Sequence, residues 1–144
     1  MNSFHYHLHP RPPIDCYENG LTVRSGQSIA CWKVTQVDRY LMEVPLEQGE
    51  QRLSKLPRMF FEIDGSFVWR GQSHEASQPT SDWQVDGMVY DVNGRVSRVE
   101  LKGRCAAKEF LQIATALQPA ESLLAYCIDD GCFVGVDELL RVWN

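Results

Sequence analysis

The sequence has no run of lysine or arginine, no long apolar stretch and no paired-cysteine motif, and each absence removes a class of protein. Fourteen basic against nineteen acidic side chains leave a formal charge of −5, without the clustered positive footprint that phosphate backbones require. Nucleic acid is therefore not an expected partner. No segment reaches the roughly 18 uncharged apolar residues of a membrane span, and the first residues carry no basic region followed by an apolar one. No membrane contact and a cytoplasmic location are expected. The five cysteines, Cys16, Cys31, Cys105, Cys127 and Cys132, are odd in number and without C-x-x-C spacing, which suits reduced thiols, most of them small core side chains. The glycines form neither a phosphate-cradling nor a dinucleotide-binding pattern, and there is no nucleophile elbow. No cofactor is expected.

What is present is an ordinary globular composition. The 144 residues are 44% hydrophobic and 23% charged, enough for one core that removes roughly 68–70% of the unfolded surface from water. Pro10, Pro12, Pro13 and Asn19-Gly20 mark residues 1–20 as an irregular surface arm, leaving residues 21–144 as a single domain. Residues 28–44 approach a helical stripe at Ile29, Cys31, Val34, Val37, Tyr40 and Leu41 but are β-rich over 29–37 and read as strand, 46–56 form a short helix stopped by Pro57, and 58–70 form aromatic strand around Asp64-Gly65. The polar stretch 71–82 reads as a mobile loop. Asn93-Gly94 then sits between two alternating runs and predicts a hairpin of 83–92 with 95–102, closed by a two-residue turn. Residues 105–117 place Phe110, Ile113, Ala114 and Leu117 on one helical face. Two short strands, 122–128 and 132–136, turn at Asp129-Asp130-Gly131, and a last helix starts from Asp137 as its N-cap. This order makes an α+β two-layer domain, an antiparallel sheet packed by helices on one face.

Asp86, Glu100 and Lys102 follow the Asp…Glu-x-Lys order of the metal site in restriction-endonuclease-like nucleases, which they resemble in element order over about residues 59–128. The resemblance implies a metal-dependent phosphodiesterase in which Asp86 and Glu100 hold a divalent cation and Lys102 assists water attack, with Asp64 as a second possible ligand. Strand parity tests it. With Asn93 and Gly94 as the turn, paired residue numbers sum to 187, so Glu100 faces Gly87, Lys102 faces Val85 and Asp86 faces Leu101. Side chains alternate, so Asp86 falls on the Met88, Tyr90, Val99, Leu101 side, beneath the 105–117 helix, and Glu100 and Lys102 fall on the other. A β-bulge on the Asp86 strand would reverse this.

Three other features carry chemistry. His5, His7 and His9 alternate, so in an extended chain their imidazoles share one side about 6.6 Å apart, a spacing that transition metals use. Cys105 lies at the start of a helix near Lys102 and Lys108, where a thiol can be activated. Trp69 and Trp83 flank the 71–82 loop and suit the border of a binding groove. With no complete catalytic constellation, the expected function is a non-enzymatic interaction module that binds a protein partner or itself as a homodimer. Element order, size and acidity are similar to those of bacterial secretion chaperones; the alternative is the nuclease.

Overall fold

A computed structural model describes residues 2–13, 17–24, 26–34, 37–73 and 81–143. Among them, nine strands form one antiparallel sheet: β1 (Phe4–Pro10), β2 (Tyr17–Arg24), β3 (Gln27–Val34), β4 (Met59–Phe61), β5 (Ser66–Ser73), β6 (Ser81–Val92), β7 (Arg95–Arg104), β8 (Leu123–Cys127) and β9 (Cys132–Gly135). Their spatial order is β2-β3-β9-β8-β1-β7-β6-β5-β4. Three helices complete the α+β two-layer domain: α1 (Leu46–Ser54), α2 (Ala107–Leu117) and α3 (Val136–Arg141). No helix among the described residues is long and apolar enough to cross a membrane.

The stretch read as an irregular arm supplies the middle strand. β1 pairs with β7 on one side and β8 on the other. Phe4, Tyr6 and Leu8 point one way and the three histidines the other, so period-2 alternation outweighs the prolines, which end the strand at Pro10 rather than prevent it. Of the 71–82 loop, Gly71–Ser73 belong to β5 and Ser81–Asp82 to β6; residues 74–80 lie outside the described residues. The 28–44 segment, read as strand, is strand only to Val34 and is a 3-10 turn at Val37–Arg39.

The hairpin turns where expected, with Asn93 and Gly94 both at positive φ, 51° and 81°. Its register then departs from the uniform rule. Val92 pairs with Arg95 and Asp91 with Val96, but Tyr90 pairs with Arg98, so β7 carries one extra residue, Ser97. The reason is hydrophobic. Val96, Val99 and Leu101 are all fully buried, and a regular strand cannot turn residues three apart to the same face. Ser97 stabilises the bulge by donating its hydroxyl to the Tyr90 carbonyl at 3.1 Å.

The bulge reverses the faces assigned to β6. Val85 and Val89, not Met88 and Tyr90, join Val99 and Leu101 in the core under the helices. The helix stripe is as expected: Phe110, Ile113, Ala114 and Leu117 are buried. Phe110 meets Phe4 and Tyr6 edge-on, with ring centroids at 5.5 and 5.8 Å, and Trp143 at 4.6 Å. At the last helix the N-cap is Gly135, and Asp137 lies in the first turn, where it accepts from Arg11 Nη2 at 2.9 Å.

Candidate metal centre

Residues paired across neighbouring strands share a face, so the register lays out in rows the side of the sheet opposite Val85, Val99 and Leu101. One row runs Ser66, Met88, Glu100, His7, Tyr126, Phe133, Trp32. The next runs Val68, Asp86, Lys102, His5. A third holds Arg70, Gln84 and Arg104. Asp86, Glu100 and Lys102 therefore do lie on one face, against the uniform-register expectation. The sequence signal for this was the Val96…Val99 spacing.

Sharing a face does not make a three-residue site. Asp86 pairs opposite Lys102 and accepts from Gln84 Nε2 at 2.9 Å. Asp64 sits in the β4–β5 turn, where its Oδ1 accepts from the Ser66 amide at 2.9 Å and from the Ser66 hydroxyl at 2.6 Å. These bonds hold its carboxyl below the usual range, which is the work of a turn cap.

Glu100 has other partners. His5 Nε2 lies 2.8 Å and His7 Nε2 3.2 Å from the same oxygen, Glu100 Oε2. Donor atoms of His5, His7 and Glu100 all fall within 4.8 Å of one another, and no other group of three His, Cys, Asp or Glu does so among the described residues. The two imidazoles come from alternate positions of β1, and the carboxylate from the adjacent strand opposite His7. The hydrogen bond from His5 and then that from His7 hold the Glu100 carboxyl below its ordinary range, against partial burial. This favours the ionised, ligating form. All three side chains are between one-fifth and one-third exposed, so the cluster is open to solvent.

The third histidine does not join them. His9 is 5% exposed, with its ring 5.5 Å from that of Phe133. Beside the cluster, a groove of about 580 Å³ is lined by His7, Arg98, Lys33, Tyr126 and Phe133 among others.

The remaining candidates fall elsewhere. Cys105 is fully buried ahead of α2, and burial pushes its thiol up to about 12, the opposite of activation. Cys31, Cys127 and Cys132 are also buried and unbridged, while Cys16 lies outside the described residues. Trp69 and Trp83 pack edge to face at 4.9 Å inside the core, with Trp69 Nε1 donating to the Pro57 carbonyl at 2.7 Å. Trp83 nonetheless floors a second groove, of about 730 Å³. Comparison with protein-family models, with curated proteins and with solved structures finds no match, so a functional reading rests on this geometry.

Proposed function

We propose that the protein binds a divalent transition metal of the zinc class through His5, His7 and Glu100, and that the bound ion takes an anionic oxygen ligand from the groove alongside. The observation that carries this is the convergence of two imidazole nitrogens on one carboxylate oxygen, at 2.8 and 3.2 Å. A tetrahedral zinc with bonds of about 2.0–2.1 Å keeps its donor atoms roughly 3.3 Å apart, so binding calls for the His5–Glu100 contact to open and for the three donor atoms, now within 4.8 Å of one another, to settle near that common spacing. Two imidazoles and one carboxylate suit zinc, and three protein ligands leave a position for water or substrate, as in catalytic rather than structural sites. Arg98 and Lys33 on the groove wall supply the charge to hold an anionic ligand.

Zinc titration of untagged protein against a chromogenic chelator tests the reading. One equivalent is expected to bind, with His7→Ala and Glu100→Gln each weakening it at least about tenfold and His9→Ala leaving it unchanged. Absence of binding by the parent at micromolar zinc, or equal losses in all three variants, would refute the site.

A second reading, association with a protein partner or a second copy, is favoured by the β4 edge. This three-residue edge strand exposes Phe60 at 56%, and Ile63 beyond it is fully exposed; an uncovered edge with apolar side chains suits strand pairing. Sedimentation of the parent beside Phe60→Ser tests the second copy: a parent dimer weakened by the substitution supports it, and a monomer at high concentration removes it.

A further inference from the structure

Three of the described cysteines, Cys31, Cys127 and Cys132, gather in the core on the helix side of the sheet, buried and unbridged. Strand alternation accounts for the grouping. Cys127 pairs opposite Tyr6 on one side and opposite Cys132 on the other, so the three side chains form a row on one face. Trp32 pairs with Phe133, which sets Cys31 opposite Val134, on the same face as Cys132 and diagonal to it. The Cys132 thiol is hydrogen-bonded to Cys31. Cys105 is held elsewhere, ahead of α2, where its carbonyl accepts from Trp143 Nε1 at 3.1 Å. We infer that Cys127 and Cys132 are the site of a reversible disulfide that closes the β8–β9 hairpin, formed at the expense of a small disulfide such as oxidised glutathione. The inference is independent of the metal centre, which lies on the opposite face.

The register selects this pair among the three thiols. Residues directly opposed on antiparallel strands hold their Cα atoms about 4.5 or 5.5 Å apart, inside the range of about 4.4–6.8 Å that a disulfide spans. A diagonal pair such as Cys31 and Cys132 stands about 7–8 Å apart, beyond it. Opposed Cβ atoms, however, are about 4.5–5.5 Å apart, whereas a relaxed disulfide wants about 3.5–4.5 Å. Closing the bond therefore draws the two strands together at the loop end of the hairpin. A disulfide strained in this way is readily reduced, which makes it a staple that follows the surrounding redox balance rather than a permanent link.

The bond closes by two exchanges. One cysteine thiolate attacks oxidised glutathione, forming a mixed disulfide and releasing a glutathione thiolate; the other cysteine thiolate then attacks the protein sulfur of that mixed disulfide, forming the Cys127–Cys132 bond and releasing the second glutathione thiolate. Two protein thiols are oxidised, one glutathione disulfide is reduced to two thiols, and the cysteine protons pass to them. Cys127 ionises first: burial pushes it up to about 11, with the Arg24 guanidinium beside it working the other way, while burial pushes Cys132 up to about 12. Exchange is accordingly slow in the closed sheet. It proceeds when the loop between the two cysteines opens. Residues 128–131 are all exposed, and two bonds onto the Cys127 carbonyl, from the Asp130 amide at 3.2 Å and the Gly131 amide at 2.8 Å, are what hold the turn.

Peptide mapping tests the site directly. Reduced protein, both folded and refolded from denaturant, is held in oxidised glutathione over a time course; the remaining thiols are then alkylated in denaturant and the chain is cut with trypsin. No lysine or arginine separates Cys127 from Cys132, so both fall on the peptide from Glu109 to Arg141, whereas Cys31 and Cys105 fall on others. The expected product is that peptide with neither cysteine alkylated and its mass short by two hydrogens, beside alkylated Cys31 and Cys105. Excess reduced glutathione should then restore alkylation of both. Cys31→Ala should close as the parent does, and Cys132→Ala should not close. Linkage to any other cysteine, glutathione kept on either residue as the end product, or complete alkylation of folded and refolded protein alike would overturn the site. A bond that survives excess reduced glutathione would overturn its reversibility.

Discussion

On one side of the central sheet Val85, Val89, Val96, Val99 and Leu101 lie buried beneath the helices; on the other, the intervening residues of the same two strands, Asp86, Met88, Arg98, Glu100 and Lys102, meet solvent. The strands are shared, but the physical demands are not. The covered side needs only apolar side chains of suitable volume, which interdigitate with the stripe of α2. The open side spends its positions on groups that are costly to bury: two histidines on one carboxylate, Arg70 and Arg104 in one row, and Arg98 over the Tyr90 ring at 4.0 Å. Stability should therefore respond to the first set and ligand binding to the second.

The strongest test of that separation is Phe110→Ala. The ring has no exposed surface and touches Phe4, Tyr6 and Trp143 from three sides, so its removal is expected to cost about 3–5 kcal/mol in denaturant titration. Zinc affinity measured well below the unfolding transition should stay within about twofold of the parent. A loss under about 1 kcal/mol would mean that α2 does not dock by this residue. A collapse of zinc binding in folded protein would mean that the two faces are coupled through β1.

Next in size is deletion of Ser97, which removes the bulge. The base of the hairpin is clamped between β1 and β5, so the tip should yield instead, turning Val96 outward and breaking its two backbone bonds to the Met42 and Val44 segment. Exposing one valine costs about 1.5–3 kcal/mol, and zinc affinity should persist because His5, His7 and Glu100 keep their register. If the deletion abolishes zinc binding with little loss of stability, the base has slipped instead, and the core tolerates exchange of its faces.

How far the sequence led can be judged at this bulge and at β1. The hairpin, its turn and the stripe of α2 are local patterns in which period and turn chemistry agree, and each formed as read. The face of Asp86 depended on one inserted residue between Val96 and Val99, visible only if burial is weighed above uniform pairing. β1 was obscured because Pro10, Pro12 and Pro13 suggest irregular chain, whereas the alternation of Phe4, Tyr6 and Leu8 with His5, His7 and His9 marks a strand. The histidine alternation was legible, and so was Glu100, but not their meeting. Residues 95 apart in sequence are joined only by the insertion of the N-terminal strand beside β7.

The smallest expected effect belongs to Asp86→Asn, and it decides between two readings of the same face. Asp86 is exposed and bonded to Gln84, and its cross-strand neighbour is Lys102. An exposed pair of this kind contributes roughly 0.2–1 kcal/mol, and the amide keeps the bond to Gln84, so a loss under about 0.5 kcal/mol is expected. If the metal is held by His5, His7 and Glu100, zinc affinity should change by less than about twofold, because only a distant charge is removed in a well-screened position. An Asp…Glu-x-Lys site makes the opposite demand. There Asp86 is a direct ligand, and its loss should weaken Mg²⁺ or Mn²⁺ binding as severely as Glu100→Gln does, while His5→Ala and His7→Ala would matter little. Measuring both ions on all four variants separates the cases, since hard cations prefer carboxylate oxygen and zinc prefers imidazole. A variant set in which Asp86 and Glu100 move together and the histidines stand apart would transfer the metal to the neighbouring row, with Lys102 beside it.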